Sequence, residues 1–397
     1  MIRFFPSEDC LKRTFRSNPN YTVVICDRLS NSIKESLGKL VEESDCFGIL
    51  QPSDSSTLSI KTICRETALL FYILKVPGQL PNYLLSEPSI NPERLISQLI
   101  LDDILEVEIE GNFTSGLQAY QLLFSKSGAL TTSEKPEYNT EGISYEALVY
   151  GQEFINEDIS KLGRRLYFYN RRPSTKKWLK QLKSSNDVNS FLGLLPEQPN
   201  HKLVHRYWYE STQNSNKYWV FRRSKKDDFF EENSSLDGYK LYFNPTCEYL
   251  YQTLSELTEI LFHCRAYAFK YGGNAYGMLR PDKFVAYFQT KDDLFLALEK
   301  LQKRFYGVPA QELPFTATVD PTGLLSWGID PPNSSRTSLL WHSCSWRSWV
   351  TERLSAALIK WHHQPDPKVE PWQFALAHVS LDGINITTWI PEQTIWN

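Results

Sequence analysis

The stretch that decides the fold runs from residue 239 to residue 288 and begins with YKLYFNP (Tyr239–Pro245). Its apolar residues alternate, which is typical of a β-strand. Asn244 and Pro245 then predict an N-cap followed by a proline at the first helical position. Leucines recur behind them at helical spacing, at positions 250, 254, 257 and 261. We therefore predict a strand followed by an amphipathic helix.

The second half of this stretch predicts two further strands and a second helix. RAYAFK (Arg265–Lys270) and KFVAYF (Lys283–Phe288) have the composition of strands, and the glycine-rich YGGNAYG lies between them. Thr290 and Asp293 match a capping box at the start of the next helix. The result is a β-α-β-β-α unit in a mixed or antiparallel sheet flanked by helices. The predicted fold class is therefore α+β, with a smaller N-terminal α+β region.

This unit brings two cations close together in the predicted fold. Lys270 ends one strand and Arg280 precedes the next. Strands joined by a hairpin-like connection lie side by side, so the two side chains are expected near each other. Neighbouring positive charges lower the pKa of a lysine and make it a better base. Spacing leaves an alternative open, in which Lys270 only extends its stem along a sheet edge and Arg280 is a solvated loop residue.

The bulk properties indicate an ordinary globular protein. With 397 residues, 41% of them apolar and 22% charged, the chain is long enough for two domains or one large one. The seven cysteines are scattered and include no C-x-x-C, which argues against a disulfide framework and against a zinc site. The N-terminus MIRFFPSEDC is not a signal peptide, and no apolar run approaches membrane-spanning length. We expect a soluble, cytoplasmic protein.

Composition also predicts the domain boundaries. Residues 127–142, SGALTTSEKPEYNTEG, have the composition of a linker. It separates an N-terminal α+β region of undisclosed role, residues 1–126, from a larger α+β domain, residues 143–397. Between Lys161 and Lys183 there are nine lysines and arginines and no acidic residue. That segregation indicates an electropositive region that meets an anion or an acidic part of the same chain.

Patterns outside the central unit predict further elements. SYEALVYGQEF predicts a helix, RRLYFYN a strand, and the basic segment around Trp178 another helix. LVHRYWYE and KYWVFRR predict paired strands. GLLSWGIDPPNSS is interpreted as a loop at the rim of a site, and WRSWVTERLSAALIKWH as a helix.

Several of these segments resemble the HopA-type effector family. KLYFN resembles the family's RIYFN-like strand, and AFKYGGNAYGMLRPDKFVAYF resembles its phenylalanine-lysine pair followed by arginine and aspartate before the next strand. LPFTATVDPTGLLSWGIDPP resembles its P-x-F-T segment. The resemblance covers about Tyr239 to the C-terminus and, more weakly, the region from Arg164 onward.

The resemblance implies a function in peptide modification. Some family members belong to peptide-modifying pathways, including lanthipeptide pathways. The activity implied is a phosphoserine or phosphothreonine lyase, which converts the phosphorylated residue of a peptide into dehydroalanine or dehydrobutyrine without a metal or organic cofactor. The implied partners are the phosphorylated peptide and an aminoglycoside-phosphotransferase-like kinase.

The resemblance also implies residue roles. Lys270 matches the family's lysine and is the predicted base, while Arg280 would hold the phosphate with help from Lys240. Asp282 would orient Arg280. For the proton donor the sequence offers His201 and His205, and we choose His205, although a lone histidine near aromatic residues is more often structural. The remaining predicted phosphate contact in that segment is Arg206.

One segment departs from the family pattern and keeps other functions open. Where relatives have S-F-G followed by an arginine, this chain has SWRSWVTER, so Arg347 or Arg353 must substitute, and Arg347 is our choice. A catalytically silent HopA-like effector or scaffold that binds a peptide or protein is therefore the alternative.

A third interpretation is a single-stranded nucleic-acid binder, because aromatic residues and cations are interleaved in LYFYNRRP, HRYWYE and KYWVFRR. The pI of 6.2 and the lack of a known RNA-binding motif make nucleic acid a less favoured partner.

Overall fold

The computed structural model describes most of the chain as two units. The described residues are 10–41, 45–86, 91–124, 142–212, 215–226, 238–330, 345–363 and 369–391. The first unit comprises Met1–Tyr138 and Ala356–Asp382, and the second comprises Asn139–Ser355 and Gly383–Asn397. The sequence-based boundaries assigned residues 356–382 to the C-terminal domain. Of the predicted linker, residues 127–142, all but Gly142 lie outside the described residues.

The first unit contains two small antiparallel sheets with helices packed on them. Its sheets have the strand orders β1-β5-β6 and β2-β3-β4. Its elements are β1 (Phe15–Ser17), β2 (Tyr21–Ile25), α1 (Asn31–Leu37), β3 (Cys46–Pro52), β4 (Lys61–Cys64), α2 (Arg65–Ile73), α3 (Asn82–Ser86), α4 (Pro92–Leu101), β5 (Leu105–Ile109), β6 (Asn112–Thr114), α5 (Gly116–Phe124) and, later in the chain, α15 (Pro371–Leu381). The apolar side chains of α2, α4 and β5 form its core.

The second unit is built on one antiparallel sheet of seven strands, in the order β12-β13-β9-β11-β10-β8-β7. Its elements are α6 (Ile143–Gln152), α7 (Ile159–Tyr167), α8 (Lys176–Gln181), α9 (Ser185–Phe191), α10 (Pro199–Tyr207), β7 (Trp208–Glu210), β8 (Trp219–Ser224), β9 (Tyr239–Phe243), α11 (Cys247–His263), β10 (Ala268–Gly272), α12 (Ala275–Met278), β11 (Phe284–Phe288), α13 (Lys291–Arg304), β12 (Ala317–Thr318), β13 (Leu325–Ile329) and α14 (Trp346–His363), whose last residues belong to the first unit. The predicted α+β class is confirmed.

The predicted β-α-β-β-α unit is present as β9-α11-β10-β11-α13 at the centre of this sheet. The α11 leucines at positions 250, 254, 257 and 261 are fully buried. Thr290 caps α13 as predicted, because its side chain accepts a hydrogen bond from the Asp293 amide at 3.2 Å. The predicted N-cap Asn244 is wrong, since the helix begins after Thr246. Asn244 is buried and donates instead to the Gly323 carbonyl, which ties the end of β9 to the turn before β13.

Strand alternation divides the sheet into two chemically different faces. Phe269 and Tyr271 of β10, with Phe284 of β11, point into the core beneath α11. The residues between them point to the opposite face, where Lys270 is paired in register with Val285. We call this opposite face, which carries Lys240, Tyr242, Lys270, Val285 and Tyr287, the lysine face. A period of two along each strand thus separates the apolar core from a set of cationic and aromatic side chains.

Two predicted elements differ from the structure. RRLYFYN was predicted as a strand but belongs to α7 and the turn after it. Asp158 caps that helix, and Leu162 and Leu166 are buried one turn apart, so the helical period outweighs the aromatic run.

GLLSWGIDPPNSS was predicted as a loop, but its residues 325–329 form β13. Gly328 in this strand is explained by close packing and not by a turn, because a Cβ there would lie 3.1 Å from the Trp346 ring. Residues 331–335 of this segment lie outside the described residues.

Two glycines in the connection between β10 and β11 allow two stretches of backbone to touch. A Cβ on Gly272 would lie 2.3 Å from the Gly277 carbonyl carbon, and one on Gly277 would lie 2.8 Å from the Tyr218 carbonyl oxygen. Backbone atoms cannot move aside as a flexible side chain can, so only glycine fits at these positions. This backbone contact holds the short helix α12 against β10 and thereby determines the position of Arg280, which follows α12.

The structure also bears on membrane insertion. No helix within the described ranges is both long enough and apolar enough to cross a bilayer.

We predict that Gly277→Ala destabilises the protein by about 1–3 kcal/mol, the usual cost of forcing an extra methyl group into a packed site. The free energy of unfolding measured in urea checks this. Gly78→Ala is the matched control, because a Cβ there meets no atom closer than 4.0 Å. Equal stability of the two variants would contradict the close-approach argument.

Candidate functional site

The predicted base lies on the lysine face of the sheet. Lys270 is the middle residue of β10, and its Nζ lies 4.4 Å from the centroid of the Trp219 ring on the neighbouring strand β8. Among the described residues, no carboxylate lies within ion-pair distance of this amine. Burial lowers the pKa of Lys270, the positive charge of Arg280 adds to the decrease, and Tyr167 and Asp282 oppose it. The balance favours a neutral amine more than in a solvated lysine.

Arg280 meets the same indole ring as Lys270. Its Cζ lies 4.9 Å from the Trp219 centroid, and the Lys270 amine lies 4.4 Å from it. The two side chains therefore point to the same side of the sheet. A cation beside an aromatic ring is attracted to the π-electrons, so one tryptophan positions two positive charges that would otherwise repel each other.

Asp282 holds Arg280 in a two-pronged ion pair. The Arg280 Nε donates to Asp282 Oδ1 at 2.7 Å, and its Nη2 donates to Oδ2 at 2.6 Å. Asp282 is only 4% exposed, and Arg347 Nη1 also donates to its Oδ2 at 3.0 Å. Burial alone would raise the pKa of Asp282, but Arg280 and Arg347 outweigh it and hold the pKa well below the ordinary range. Asp282 therefore stays charged, and its geometry is the one that the predicted orienting role requires.

Tyr167, at the end of α7, joins the two arginines. Its hydroxyl accepts a hydrogen bond from Arg280 Nη2 at 2.9 Å, and its backbone carbonyl accepts one from Arg347 Nη2 at 2.7 Å. Its ring lies 4.6 Å from the Arg347 guanidinium carbon. Tyr167 thus fixes both guanidinium groups from a helix far from them in the chain.

The two arginines differ in what remains free. In Arg347, Nε donates to the Pro314 carbonyl, and the other two nitrogens donate to Asp282 and Tyr167. Since it is also 1% exposed, Arg347 holds the site together and cannot be the phosphate contact that we predicted from sequence. In Arg280, by contrast, Nε and Nη2 carry the ion pair, and Nη1 has no hydrogen-bond acceptor within the described part of the chain. That nitrogen is available for an anion.

Lys240 lies on the same face, one strand beyond β11. Its Nζ forms an ion pair with Asp330 Oδ2 at 2.5 Å and lies 5.5 Å from the centroid of the Tyr287 ring. The Lys270 amine lies 5.9 Å from the same centroid. We call the group of Lys240, Lys270, Arg280, Arg347, Asp282 and Asp330 the cationic cluster. Four cations against two carboxylates leave an excess of two positive charges when Lys270 is protonated.

A second lysine near Asp282 is a less suitable base. Burial lowers the pKa of Lys283 to about 7, which is the range that a base needs. However, Lys283 is fully buried, and its Nζ donates to the Pro245 carbonyl at 2.7 Å. No substrate can reach that amine without unfolding the region. Lys270, which is partly exposed, has access that Lys283 lacks.

The structure does not bring His205 and Arg206 to the cationic cluster. Both lie on α10, where we had predicted a strand. This helix packs on α11, since Asn200 of α10 donates to the Tyr251 carbonyl at 3.0 Å, and α11 covers the core face of the sheet. His205 and Arg206 therefore lie in the helix layer opposite the lysine face. His201 shares that position, with its ring centroid 4.2 Å from that of His205. Among the described residues, no group of His, Cys, Asp and Glu is arranged to hold a metal ion.

Sequence reasoning missed several members of the site. Tyr167 was assigned to a strand and Asp330 to a loop, and Trp219 appeared only within KYWVFRR, a segment considered for stacking on nucleic acid. Alternation along KYWVFRR places Trp219 and Phe221 on one face of β8, which was the available indication for Trp219. No feature of the sequence indicated Tyr167, because it lies 113 residues from Arg280 in the chain.

Comparison with known proteins gives distant structural likenesses. No protein-family model and no curated protein matches the chain. Among solved structures, an effector protein from Pseudomonas syringae pv. tomato strain DC3000 matches with 11% identity over 63% of this chain and 97% of that chain, at a TM-score of 0.35. An effector from P. syringae pv. syringae strain 61 matches with 11% identity over 59% of this chain and 98% of that one, at 0.33. The phosphothreonine lyase SpvC, an effector from Salmonella, matches with 16% identity over 39% of this chain and 91% of that chain, at a TM-score of 0.25.

Proposed function

We propose that this protein is a phosphoserine or phosphothreonine lyase that acts on a peptide by β-elimination. The observation that carries the proposal is the shared Trp219 ring, which has the Lys270 amine and the Arg280 guanidinium beside it. Among the residues that the structure describes, the amine has no carboxylate partner, and Nη1 of the guanidinium has no hydrogen-bond acceptor. A base beside a phosphate-binding group is what the reaction requires.

The reaction balances with the groups at hand. Neutral Lys270 takes the proton from Cα of the phosphorylated residue, and the electrons of that bond form the Cα–Cβ double bond. The Cβ–O bond breaks, and its electrons leave with the phosphate. The phosphate departs as hydrogen phosphate once it has gained a proton, so the overall change moves one proton from carbon to phosphate. No oxidant, reductant or further reactant is consumed.

The leaving phosphate develops negative charge on its bridging oxygen. Arg280 Nη1 is the proposed contact to the phosphate, and the Lys240 ammonium is the proposed second contact and proton donor. Lys240 forms an ion pair with Asp330 and lies near the same Tyr287 ring as Lys270. When Lys270 takes the proton from Cα, the excess of the cationic cluster rises from one positive charge to two, which offsets the charge of the departing phosphate dianion. Asp282 and Arg347 have the supporting role of fixing Arg280.

The finer parts of the proposal come from the family resemblance of the C-terminal sequence. In this proposal an aminoglycoside-phosphotransferase-like kinase phosphorylates a peptide, and this protein converts the phosphorylated residue into dehydroalanine or dehydrobutyrine, as in lanthipeptide-type modification. The solved structures that resemble the chain include a phosphothreonine lyase and effector proteins. The alternative is a HopA-like scaffold that binds the phosphopeptide without reacting.

We predict that the chain releases phosphate from a phosphothreonine peptide and leaves dehydrobutyrine, and that Lys270→Met lowers the rate at least about 100-fold, the lower end of what a general base contributes. Mass spectrometry for the loss of phosphoric acid measures this. The matched control is Lys303→Met, which removes an exposed lysine on α13 and should keep the wild-type rate.

The outcomes separate enzyme from scaffold. If the wild-type chain binds the phosphopeptide and leaves it intact, the scaffold alternative replaces the lyase. If Lys270→Met eliminates phosphate as fast as Lys303→Met, another group is the base.

The pH dependence gives an independent prediction. The base must be neutral, so the rate rises with pH as Lys270 loses its proton. Burial and Arg280 lower its pKa, so the midpoint of this rise in kcat/KM is expected below the ordinary lysine value of 10.5. A separate rise near pH 6 belongs to the substrate phosphate. Lys270→Met should lose the upper rise and keep the lower one. An upper midpoint at or above 10.5 would be inconsistent with this assignment.

A further inference from the structure

An open cavity beside the cationic cluster has no role in the reaction described above. It measures about 440 Å³ and is lined mainly by Arg164, Arg165 and Arg171 and by the aromatic residues Tyr150, Phe168 and Tyr169. These residues come from α6, from α7 and from the turn after it. The basic segment between Lys161 and Lys183, which the sequence singled out, therefore contributes three guanidinium groups to one concave surface.

The wall of this cavity is held rigidly by hydrogen bonds. Asn170 adopts a left-handed conformation with φ of 62°. Its side chain donates to the Glu312 carbonyl at 2.8 Å, and its own carbonyl accepts from Gln311 Nε2 at 2.6 Å. This turn fixes where the residues on either side of Asn170 project. The cavity is thus preformed, which lowers the entropic cost of binding.

The arginines of the cavity are not equally neutralised. Arg165 forms a two-pronged ion pair with Glu157, at 2.7 and 2.6 Å. Arg171 has no carboxylate partner in the described ranges; its Nη2 donates to Ser174 at 3.3 Å, and its Nε is buried without an acceptor. A guanidinium without a carboxylate partner gains more from an incoming anion than one that is already paired. Within the described ranges, Arg171 therefore lacks the anion that Arg165 has.

The cavity adjoins the proposed phosphate site. Phe168 lines the cavity, and the Arg280 guanidinium carbon lies 5.1 Å from the centroid of its ring. The Arg172 amide donates to the Leu279 carbonyl at 3.0 Å, which fastens the residue after Arg171 to the residue before Arg280. Burial lowers the pKa of Arg171, and the nearby charge of Arg280 adds to that effect. One extended peptide can reach both Arg280 and Arg171.

We propose that this cavity is a second anion subsite, which receives the carboxylate of an aspartate or glutamate close to the phosphorylated residue in the same peptide. The substrate class is thus an acidic phosphopeptide. This inference rests on the proposed function and deepens it. Arg171 binds the carboxylate, and the aromatic wall packs against the stem of the acidic side chain.

A peptide fits the cavity better than a nucleic acid does. Glu157 already neutralises Arg165, so the surface is a compact spot of positive charge and not a stripe that could follow a phosphate backbone. Of the aromatic residues in HRYWYE, Trp208 is fully buried and donates to the Thr258 carbonyl, so it cannot stack on a base. A small cavity in which Arg171 has no carboxylate partner among the described residues suits a single acidic side chain.

The test compares two phosphothreonine peptides that differ only in their neighbours, aspartate and glutamate in one, asparagine and glutamine in the other. We expect kcat/KM to be about tenfold higher for the acidic peptide, which corresponds to one charge-assisted hydrogen bond. Arg171→Gln should bring this ratio close to one, and Arg171→Lys should keep part of the preference. Arg304→Gln is the control, because it removes an exposed arginine paired with Glu256 on α11.

Binding separates the two proposals. Fluorescence anisotropy with the Lys270→Met chain reports peptide affinity without turnover. Equal kcat/KM for both peptides in the wild-type chain, with elimination present, overturns the acidic subsite and leaves the lyase intact. Absent elimination, with tighter binding of the acidic peptide that depends on Arg171, keeps the subsite and overturns the lyase. Arg171-dependent binding of a single-stranded oligonucleotide more tightly than the acidic peptide would overturn the peptide assignment.

Discussion

The site of this protein depends on one buried carboxylate. Asp282 is 4% exposed and accepts hydrogen bonds from two guanidinium groups, those of Arg280 and Arg347. Burying a charge is unfavourable unless it is paired and hydrogen-bonded, and removing one partner from a buried pair typically costs about 3–5 kcal/mol. Without Asp282, two neighbouring guanidinium groups would repel each other in a partly buried environment. The position of Arg280 therefore follows from an electrostatic requirement as well as from its place in the chain.

The same electrostatic requirement gives Arg347 and Arg280 different roles. Arg347 gives all of its nitrogens to protein acceptors, which makes it an anchor that links α14 to α7 and to β11 through Asp282. Arg280 gives only part of its donors to the protein and keeps Nη1 for an anion. A guanidinium that is oriented before the ligand arrives loses less conformational entropy on binding than a free side chain. The ion pair thus prepares the anion site.

The sheet provides the second constraint, because its two faces carry opposite chemistry. On one face, Phe269 and Phe284 stack at 5.0 Å in the core. On the other face, Trp219 and Tyr287 contact the amines and the guanidinium of the cationic cluster. Aromatic rings remove water from these cations and still attract them, so Lys270 is partly desolvated, with no carboxylate beside it in the part of the chain that the structure describes. That environment lowers the pKa of Lys270, whereas an ion pair would keep the amine charged.

The sequence alone determined the α+β class and the central β-α-β-β-α unit, because these features depend on periodicity. It predicted that Lys270 and Arg280 lie close together, but spacing left open the alternative in which Lys270 extends along a sheet edge and Arg280 is solvated. It did not determine the partners of those residues. Tyr167 lies 113 residues from Arg280, and Arg347 lies 65 residues from Asp282, so only the packed fold brings them together. The sequence analysis also placed His205 on a strand, whereas it lies on α10. A short segment with mixed apolar spacing fits either a strand or a helix, and the contact of α10 with α11 decides between them. Local patterns reveal which face a side chain takes along its own strand, whereas packing between distant segments decides which charges meet, which are neutralised and which remain free for a ligand.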